Sequence, residues 1–508
     1  QIIERLKAMP ASQLAKAEVM LSAPARLHVR GMAINLVTKD YAGKKLVSGQ
    51  IQSTWNQSKY GEWQGKGNLL LQKGKLGLDA MYSFTDGTSY GETNSDANHP
   101  LLGKRVAYQD KTSQKTDGLT HNYRLGLSYA LADNHQLSLA YTGKWDSSHS
   151  HHETIGASTS QQHGNEHIYL HNIDASYTLP FGLQLGMSYL YYKDPRQQNL
   201  EGTMLNEERT IETNSKQVID KWLFTADQSH SLKHGWELSY GMKFQRSNNR
   251  SYQTTINKNG TEIPDATSQV NIEERILSVY GGISKQLNER ISLEASAEAE
   301  QYHSPQWNKW HVYPTLNALW KANPSNILNL SFSSNSKFPS YWSTMNSIYY
   351  ASTYMEIWGN PNLKPCSTYE TSLMWTLKSR YTLMAFAKFQ PKYSVQLPYQ
   401  PTDHLAVIMK ETNFDYNHTM GIQASASFCM GSWLNGNISA TGIYRHDKSN
   451  DFFDLPFNRK HISAILGGKL SARLSRSHHI HFILTPFYQS KAIQGLYDIN
   501  SVFRLNAM

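Results

Sequence analysis

The chain has 508 residues, with 49 Lys plus Arg against 40 Asp plus Glu, so its formal net charge is +9 and only 18% of its residues are charged. Aromatic residues make up 11% of the sequence although its mean hydropathy of -0.56 is polar, and no run of ~20 apolar residues occurs, which excludes a bundle of transmembrane helices. Two cysteines are too few for a disulfide scaffold or a Cys-rich metal site, and the scattered basic residues do not predict a nucleic-acid partner.

The first forty residues do not alternate like the rest of the chain. No secretory signal peptide precedes Gln1, and the chain begins within a segment predicted to be structured, so we expect preceding residues to be missing. The pattern of Glu4 to Lys16 is compatible with a short amphipathic helix interrupted by Pro10. A strand is predicted for Ala17 to Met20, followed by a turn at Ser22 to Arg26.

From residue 45 onward, apolar and polar residues alternate with a period of two, which is typical of strands with two unlike faces. The clearest example is Trp236 to Gln245. The alternating segments run roughly 10 to 13 residues, close to the ~9 to 11 with which a tilted strand crosses a bilayer. A soluble antiparallel sandwich also alternates, so the period alone does not decide between lipid and water.

The lengths of the connections favour the membrane. Short connections alternate with long ones along the chain, as in outer-membrane barrels with tight periplasmic turns and long external loops. The short connections are Lys73-Gly74, Leu131 to Asn134, Leu179 to Gly182, Gln286 to Glu289, Ala322 to Ser325, Lys378 to Arg380 and Cys429 to Ser432. The long ones are Thr85 to Thr120, Asp146 to Glu166, Lys193 to Gln217, Ser247 to Gln269, Ser336 to Lys364 and Pro391 to His404. We therefore predict an all-β fold, a transmembrane antiparallel up-and-down β-barrel with about 20 strands.

Aromatic residues near the segment ends are predicted to form the interfacial girdles of the barrel. They are Trp55, Trp63, Tyr129, Trp145, Tyr177, Trp222, Trp236, Tyr280, Tyr302, Trp320, Trp375, Tyr381 and Trp433. The alternative is that aromatic residues simply favour strands.

A late loop is the best candidate for contact with a ligand, because exposed rings on a loop commonly mark recognition. Its aromatic residues are Phe338, Tyr341, Trp342, Tyr349, Tyr350, Tyr354 and Trp358. Packing of the loops on one another explains the same residues equally well. Near the N-terminus, Arg26 and Arg30 could line the lumen, where they would either bind an anionic solute or, as we favour, pair with lumenal carboxylates.

Two motifs resemble those of TonB-dependent outer-membrane receptors. The stretch AEVMLSAPARLHVRGMAINLVTKD, with Gly31, Ile34 and Asn35, looks like the end of that family's plug domain, directly before the first barrel strand. The second motif lies in the late loop and resembles the family's Gly-Asn-Pro-x-Leu-Lys-Pro signature. Its residues are Gly359, Asn360, Pro361, Leu363, Lys364 and Pro365. The likeness covers essentially the whole chain and is nearest to receptors of the Bacteroidetes type.

The resemblance implies two domains, with residues 1-41 as the C-terminal part of a plug and residues 42-508 as the barrel. It also implies residence in the bacterial outer membrane and import of a scarce solute, such as a siderophore, glycan or peptide, coupled to the TonB complex. A surface lipoprotein is a possible further partner. A family barrel has 22 strands, so we expect two final strands and the upstream plug half to be missing. A non-transporting surface receptor or adhesin is the main alternative, and a soluble β-protein is a distant third.

No catalytic or metal motif is evident. The sequence has no Gly-x-Ser-x-Gly elbow, phosphate-binding Gly loop or His-Glu-x-x-His helix, so we predict no enzyme and no cofactor, although spacing does not exclude a catalytic pair at the rim. Histidines cluster at His149, His151 and His152, and recur at His163, His167 and His171. Within one strand the recurring residues are ~13 Å apart, too far for one ion. A polar loop and lumen wall is preferred, for these histidines and equally for His478, His479 and His481.

The two cysteines provide a check on topology. The predicted barrel places Cys366 at the outer end of a strand and Cys429 at the periplasmic end of another. Because a disulfide requires Cα atoms within about 7 Å, two free thiols are predicted.

Overall fold

The computed structural model describes residues 14–38, 45–132, 135–204, 207–475 and 480–507. Within those ranges, no helix is long and apolar enough to cross a membrane. The strands in chain order are β1 (Leu14–Met20), β2 (Ala33–Thr38), β3 (Lys45–Gln57), β4 (Gly61–Lys73), β5 (Leu76–Leu101), β6 (Lys104–Ala132), β7 (His135–Gly156), β8 (Ser158–Thr178), β9 (Gln184–Met204), β10 (Glu207–Ser231), β11 (Trp236–Asn257), β12 (Ser268–Asn288), β13 (Ile291–His303), β14 (Asn308–Asn323), β15 (Asn326–Lys337), β16 (Ile348–Tyr350), β17 (Met355–Trp358), β18 (Cys366–Leu377), β19 (Tyr381–Pro391), β20 (Ser394–Tyr399), β21 (Val407–Asn413), β22 (Tyr416–Met430), β23 (Leu434–Ser449), β24 (Phe457–Ser475), β25 (Ile480–Gln489), β26 (Ala492–Gln494), β27 (Tyr497–Ile499) and β28 (Val502–Ala507). A helix, α1, spans Tyr341–Thr344.

Twenty of these strands form one antiparallel barrel sheet, in which each strand pairs with the next barrel strand along the chain. The predicted fold class and strand count are confirmed. Alternation produces the two faces as expected: Trp236, Tyr240 and Met242 are exposed on the outer face of β11. The next residue, Lys243, points inward, where its Nζ lies 3.2 Å from Glu298 of β13.

Several segments predicted to be external loops are strand instead. Thr85 to Thr120 belongs almost entirely to β5 and β6, which are 26 and 29 residues long and stay paired as far as Leu101 and Lys104. Asp146 to Glu166 and Lys193 to Gln217 likewise continue the wall through β7 to β10. Beyond the lipid both faces of the sheet meet polar surroundings, so the alternation disappears although the backbone pairing continues. These predicted long connections are therefore the parts of the barrel wall that extend beyond the membrane.

The last two predicted long connections do fold outside the barrel sheet. Together with Val407–Asn413 (β21), which follows the second of them, they form a small sheet with the order β16-β17-β21-β20, in which β17 and β21 run parallel. Beside it lies an apolar cluster that joins this layer to the next loop, with the buried residues Val395, Leu397, Phe414, Phe452 and Phe457. We call this arrangement of α1, β16, β17, β20 and β21 the loop layer.

Nine of the thirteen predicted girdle residues are exposed, as the outer face of a membrane barrel requires. Tyr280 and Tyr302 are exceptions, because both are buried. The Tyr280 hydroxyl donates to Asp227 at 2.8 Å, and the Tyr302 hydroxyl donates to Glu274. They face inward because each lies one position away from the outward register, so their prediction as girdle residues was wrong.

Both thiols are free, as predicted, with Cys366 buried and Cys429 exposed. In the N-terminal region the predicted strand is confirmed, since it forms the second half of β1, which pairs with β2. The predicted helix is wrong over Leu14 to Lys16, which already belong to β1. Its earlier residues lie outside the described ranges.

Candidate functional site

The N-terminal hairpin, residues 14–38, lies against the inner wall of the barrel. The Ser22 hydroxyl donates to the Phe332 carbonyl at 3.0 Å, and the Ser22 carbonyl accepts from Asn317 Nδ2 at 2.7 Å. The Ala25 amide donates to Ser296 Oγ at 3.1 Å. These bonds attach the turn of the hairpin to β13, β14 and β15, whose side chains here are small or polar.

Two basic residues of the hairpin reach carboxylates of the wall, of which Glu298 and Glu300 are buried and Asp227 is partly buried. His28 Nε2 lies 2.9 Å from both carboxylate oxygens of Asp227. Arg30 Nε donates to Glu298 at 2.9 Å, and its Nη2 donates to Glu300 at 2.6 Å. The hairpin is therefore attached by ionic contacts as well as by neutral hydrogen bonds.

The surroundings of Arg30 balance charge within the lumen. Glu298 and Glu300 are only 4% and 3% exposed, and two buried carboxylates this close require cationic partners. Arg30 supplies one and Lys243 the other, at 3.2 Å from Glu298. The Arg30 guanidinium also lies over the Tyr313 ring, 3.7 Å from its centre.

The contacts of the two N-terminal arginines are therefore with lumenal carboxylates, the role that the sequence favoured over binding an anionic solute. Arg26 is more loosely placed than Arg30, with its Nε 3.6 Å from Glu294. Neither guanidinium is free of a carboxylate in the described structure, so we do not assign a ligand to them.

A cavity of about 520 Å³ lies between the wall and the loop layer. Its wall side is formed by strands β6 to β11 and its other side by the loop layer. Three of the aromatic residues predicted to contact a ligand line it: Trp342, Tyr349 and Trp358. The Trp358 indole N–H donates to Glu356 at 2.9 Å, which fixes the orientation of the ring.

The other four predicted aromatic residues lie outside the cavity lining and pack against the wall, where the Phe338 ring stacks on Tyr302 with ring centres 3.7 Å apart. The Tyr341 hydroxyl donates to Glu274 of β12. Tyr354 stacks on Tyr108, with ring centres 3.8 Å apart, and the Arg209 guanidinium lies over the Tyr350 ring at 5.6 Å. These contacts hold the loop layer against the barrel, as the packing interpretation predicts. Ligand contact by the three rings that line the cavity stays a prediction.

The phenols of the loop layer stay protonated. Burial raises the pKa of Tyr349, and burial together with the neighbouring Glu274 charge raises the pKa of Tyr341. At neutral pH the Tyr341 hydroxyl therefore keeps the proton that it donates to Glu274.

The late sequence motif positions the loop layer. A Cβ on Gly359 would lie 1.6 Å from the Met345 carbonyl oxygen, so only glycine fits there. The Asn360 amide donates to Ser343 O at 2.6 Å, and its side chain donates to Glu411 O of β21 at 2.9 Å. The glycine and asparagine of the motif thus join α1 to β21 and place the adjacent β17 at the cavity.

Most of the remaining residues of both motifs also make contacts that stabilise the local structure. Leu363 is 1% exposed, and the Lys364 amide donates to Asn413 Oδ1 at 2.7 Å; the motif prolines, Pro361 and Pro365, flank them. In the hairpin, Asn35 Nδ2 donates to Glu18 of the paired strand at 2.7 Å. Gly31 has φ +81°, a conformation that favours glycine, whereas Ile34 is exposed.

Sequence analysis missed the polar half of the cavity. The wall contributes carboxamides and hydroxyls, among them Gln162 and Gln198, beside His152, whose cluster was predicted to lie in a polar loop and lumen wall. They occupy every second, inward-facing position of strands whose sequence was predicted to form loops. No apolar/polar pattern distinguishes these positions, because the outward-facing residues are polar too. The available signal was the repeated Gln and Ser at every second position, as in Ser148 and Ser150.

The histidine clusters meet across two strands, which spacing along one strand could not show. His151 pairs with His163 in the register of β7 and β8, and their Nδ1 atoms are 3.4 Å apart. His149 instead approaches Asn165, at 2.7 Å. Within the described ranges, no group of three metal-binding side chains comes together. Of the later histidines, His478 and His479 lie outside those ranges.

A 20-strand antiparallel barrel sheet with an apolar outer face and polar side chains inside is the architecture of a transmembrane barrel of the outer membrane. The chain belongs to the outer membrane protein beta-barrel family, whose description matches residues 182–508, more than half of it.

Similar solved structures agree on the fold. The siderophore receptor PirA from Pseudomonas aeruginosa is 13% identical, with a TM-score of 0.54 over 98% of this chain and 81% of that one. PirA from Acinetobacter baumannii is 14% identical, with a TM-score of 0.55 over 98% and 79%. The alcaligin receptor FauA from Bordetella pertussis is 12% identical, with a TM-score of 0.51 over 98% and 77%. No protein with a curated function matches the sequence significantly.

Proposed function

We propose that this protein is a TonB-dependent outer-membrane receptor that imports a scarce solute. The observation that carries the proposal is the hairpin of residues 14–38, held inside the barrel by His28 and Arg30. In this proposal residues 1-41 are the end of a plug and residues 42-508 the barrel. That the chain is of the Bacteroidetes type and part of a longer protein are further predictions from the sequence.

The contacts of the hairpin suit a plug that moves. They are hydrogen bonds and ion pairs, which water can replace one by one, rather than a large apolar surface whose exposure would be costly. The solute binds in the cavity of the loop layer, the TonB complex pulls from the periplasm, and displacement of the hairpin opens a path along the wall. The similar structures named as siderophore receptors support a receptor role. Siderophore, glycan and peptide are the candidate solutes, and a surface lipoprotein is a candidate partner.

The first test is the conductance of the barrel in a planar bilayer. We expect the full chain to conduct weakly and a chain beginning after Tyr41 to conduct strongly, because the hairpin blocks the lumen. Equal conductance of both forms would refute the plug and favour a passive pore.

A non-transporting surface receptor or adhesin is the alternative, and it predicts a hairpin that never moves. Ser22 is fully buried, so a variant that combines Ser22→Cys with Cys366→Ser and Cys429→Ser, and therefore carries a single thiol, reports on movement. Energised cells should label the new thiol with an impermeant maleimide, and cells lacking TonB should not. Absence of labelling in both strains, with labelling restored by unfolding, would support the adhesin.

A further inference from the structure

We infer that the cavity binds an uncharged, polyhydroxylated ligand, a short neutral oligosaccharide. This inference rests on the proposed function, because it names the class of solute that the receptor captures. It is drawn from the lining of the cavity, from the charges around it and from two polar atoms that lack partners.

The lining is polar but almost uncharged. Of the residues that line the cavity, seven carry carboxamides and seven are Ser or Thr, whereas the charged residues are Glu166, Arg196 and Glu411. Carboxamides and hydroxyls both donate and accept hydrogen bonds. A ligand with many hydroxyl groups, each also a donor and an acceptor, matches such a surface better than a ligand that only accepts.

The single arginine of the lining is already neutralised. Arg196 Nη2 lies 2.6 Å from Glu166 and 2.8 Å from Asp194. Glu411 accepts a hydrogen bond from Ser394, which is neutral. The carboxylates around the cavity, Glu166, Asp194 and Glu411, therefore outnumber its one arginine. An anionic iron chelate would require unpaired cations for its oxygens, and the lining provides none in the described structure.

Two lining atoms are left for a ligand. Gln198 is 6% exposed, and its Nε2 donates to the Tyr350 carbonyl at 2.7 Å. Its Oε1 has no partner, and neither has Nε2 of His152. Leaving a buried polar atom unpaired costs about 1–3 kcal/mol, a cost that hydroxyl groups of a bound sugar remove.

The aromatic side of the cavity suits the remaining surface of a sugar. Pyranose rings have faces made of C–H groups, and the rings of Trp342, Tyr349 and Trp358 offer large apolar surfaces with a polar edge. A peptide that binds by adding a strand needs an open sheet edge, and the wall offers none around the cavity in the described structure. The wall strands around the cavity, such as β8 and β9, are paired on both sides.

The test is binding of defined probes to the purified full chain in detergent, by titration calorimetry and tryptophan fluorescence. The neutral probes are maltotriose, cellotriose, xylotriose and mannotriose; the competitors are ferric enterobactin and trialanine. Gln162→Ala and Trp342→Ala remove one group from each side of the cavity. Gln50→Ala in β3 and Trp310→Ala on the exposed face of β14 are matched controls outside it.

We expect at least one trisaccharide to bind, with affinity lowered about tenfold by each cavity variant and unchanged by the controls. Binding of the chelate or the peptide alone, sugar binding insensitive to both cavity variants, or no binding of any trisaccharide would each overturn the inference. Its failure is separable from that of the proposed function. TonB-dependent uptake of a chelate would support the transport function and refute the sugar ligand. Sugar binding without uptake would support the sugar ligand and refute the transport function.

Discussion

Arg30 lets two glutamates lie side by side inside the barrel. Its guanidinium contacts both Glu298 and Glu300, and only Lys243 remains for them when it is removed. Removing one partner of a buried ionic network typically costs about 3–5 kcal/mol. We therefore expect Arg30→Ala to loosen the hairpin and to raise the conductance of the full chain in a planar bilayer.

Arg26 provides the matched control for that experiment. Its guanidinium is more exposed and lies 3.6 Å from Glu294, and exposed ion pairs contribute only about 0–1 kcal/mol. Arg26→Ala should leave the conductance near that of the unmodified chain. An equal rise in both variants would show that the buried network does not hold the hairpin.

Gly359 must be glycine because the backbone of Met345 lies too close to leave room for a side chain. Because a Cβ there would meet the Met345 carbonyl, we expect Gly359→Ala to displace α1 and to open the loop layer to chymotrypsin. Gly442→Ala is the control, since nothing lies within 4 Å of the Cβ it adds. Digestion of both variants at the unmodified rate would contradict this role of the motif.

Among the elements, the membrane-crossing part of each strand could be predicted, and its extension beyond the lipid could not. In β11 the exposed Trp236, Tyr240 and Met242 alternate with inward residues because lipid and lumen impose different chemistry. In β6 the stretch around Gln109 to Thr116 has polar residues on both faces, because neither face there meets lipid. Periodicity depends on that contrast, whereas backbone pairing does not.

The candidate site likewise has an aromatic part that the sequence reveals and a polar part that it does not. Trp342, Tyr349 and Trp358 were predictable because large rings in a polar loop stand out. Gln162 and Gln198 are ordinary polar residues in sequence, and only the register of β8 and β9 brings them together.

Hydrogen exchange tests the extended strands. Amides between Thr88 and Thr116 are paired across β5 and β6, so we expect them to exchange slowly, whereas amides of the connection from Lys258 to Pro264 should exchange quickly. Mass spectrometry after a short pulse in deuterated buffer resolves the two segments. Full exchange of residues 88–116 within that pulse would mean that they form a mobile loop.

For the molecule as a whole, the cysteines report which end of the barrel faces which compartment. Cys429 is exposed beside a short turn, and Cys366 is buried beneath the loop layer. We expect an impermeant maleimide to label neither thiol in intact cells and Cys429 alone when the periplasm is opened. Labelling of intact cells that is lost in Cys429→Ser would place the short turns outside the cell.

The hairpin also determines what its departure leaves behind. Its basic side chains are the partners of Asp227, Glu294, Glu298 and Glu300. Among the described wall residues in contact with these carboxylates, only Lys243 is cationic. Once vacated, the passage is electronegative, so potassium should permeate more readily than chloride. The reversal potential of the hairpin-free barrel in a salt gradient measures this preference. Displacement of the hairpin therefore makes the open lumen cation-selective. An anionic solute would be repelled electrostatically as it passes through.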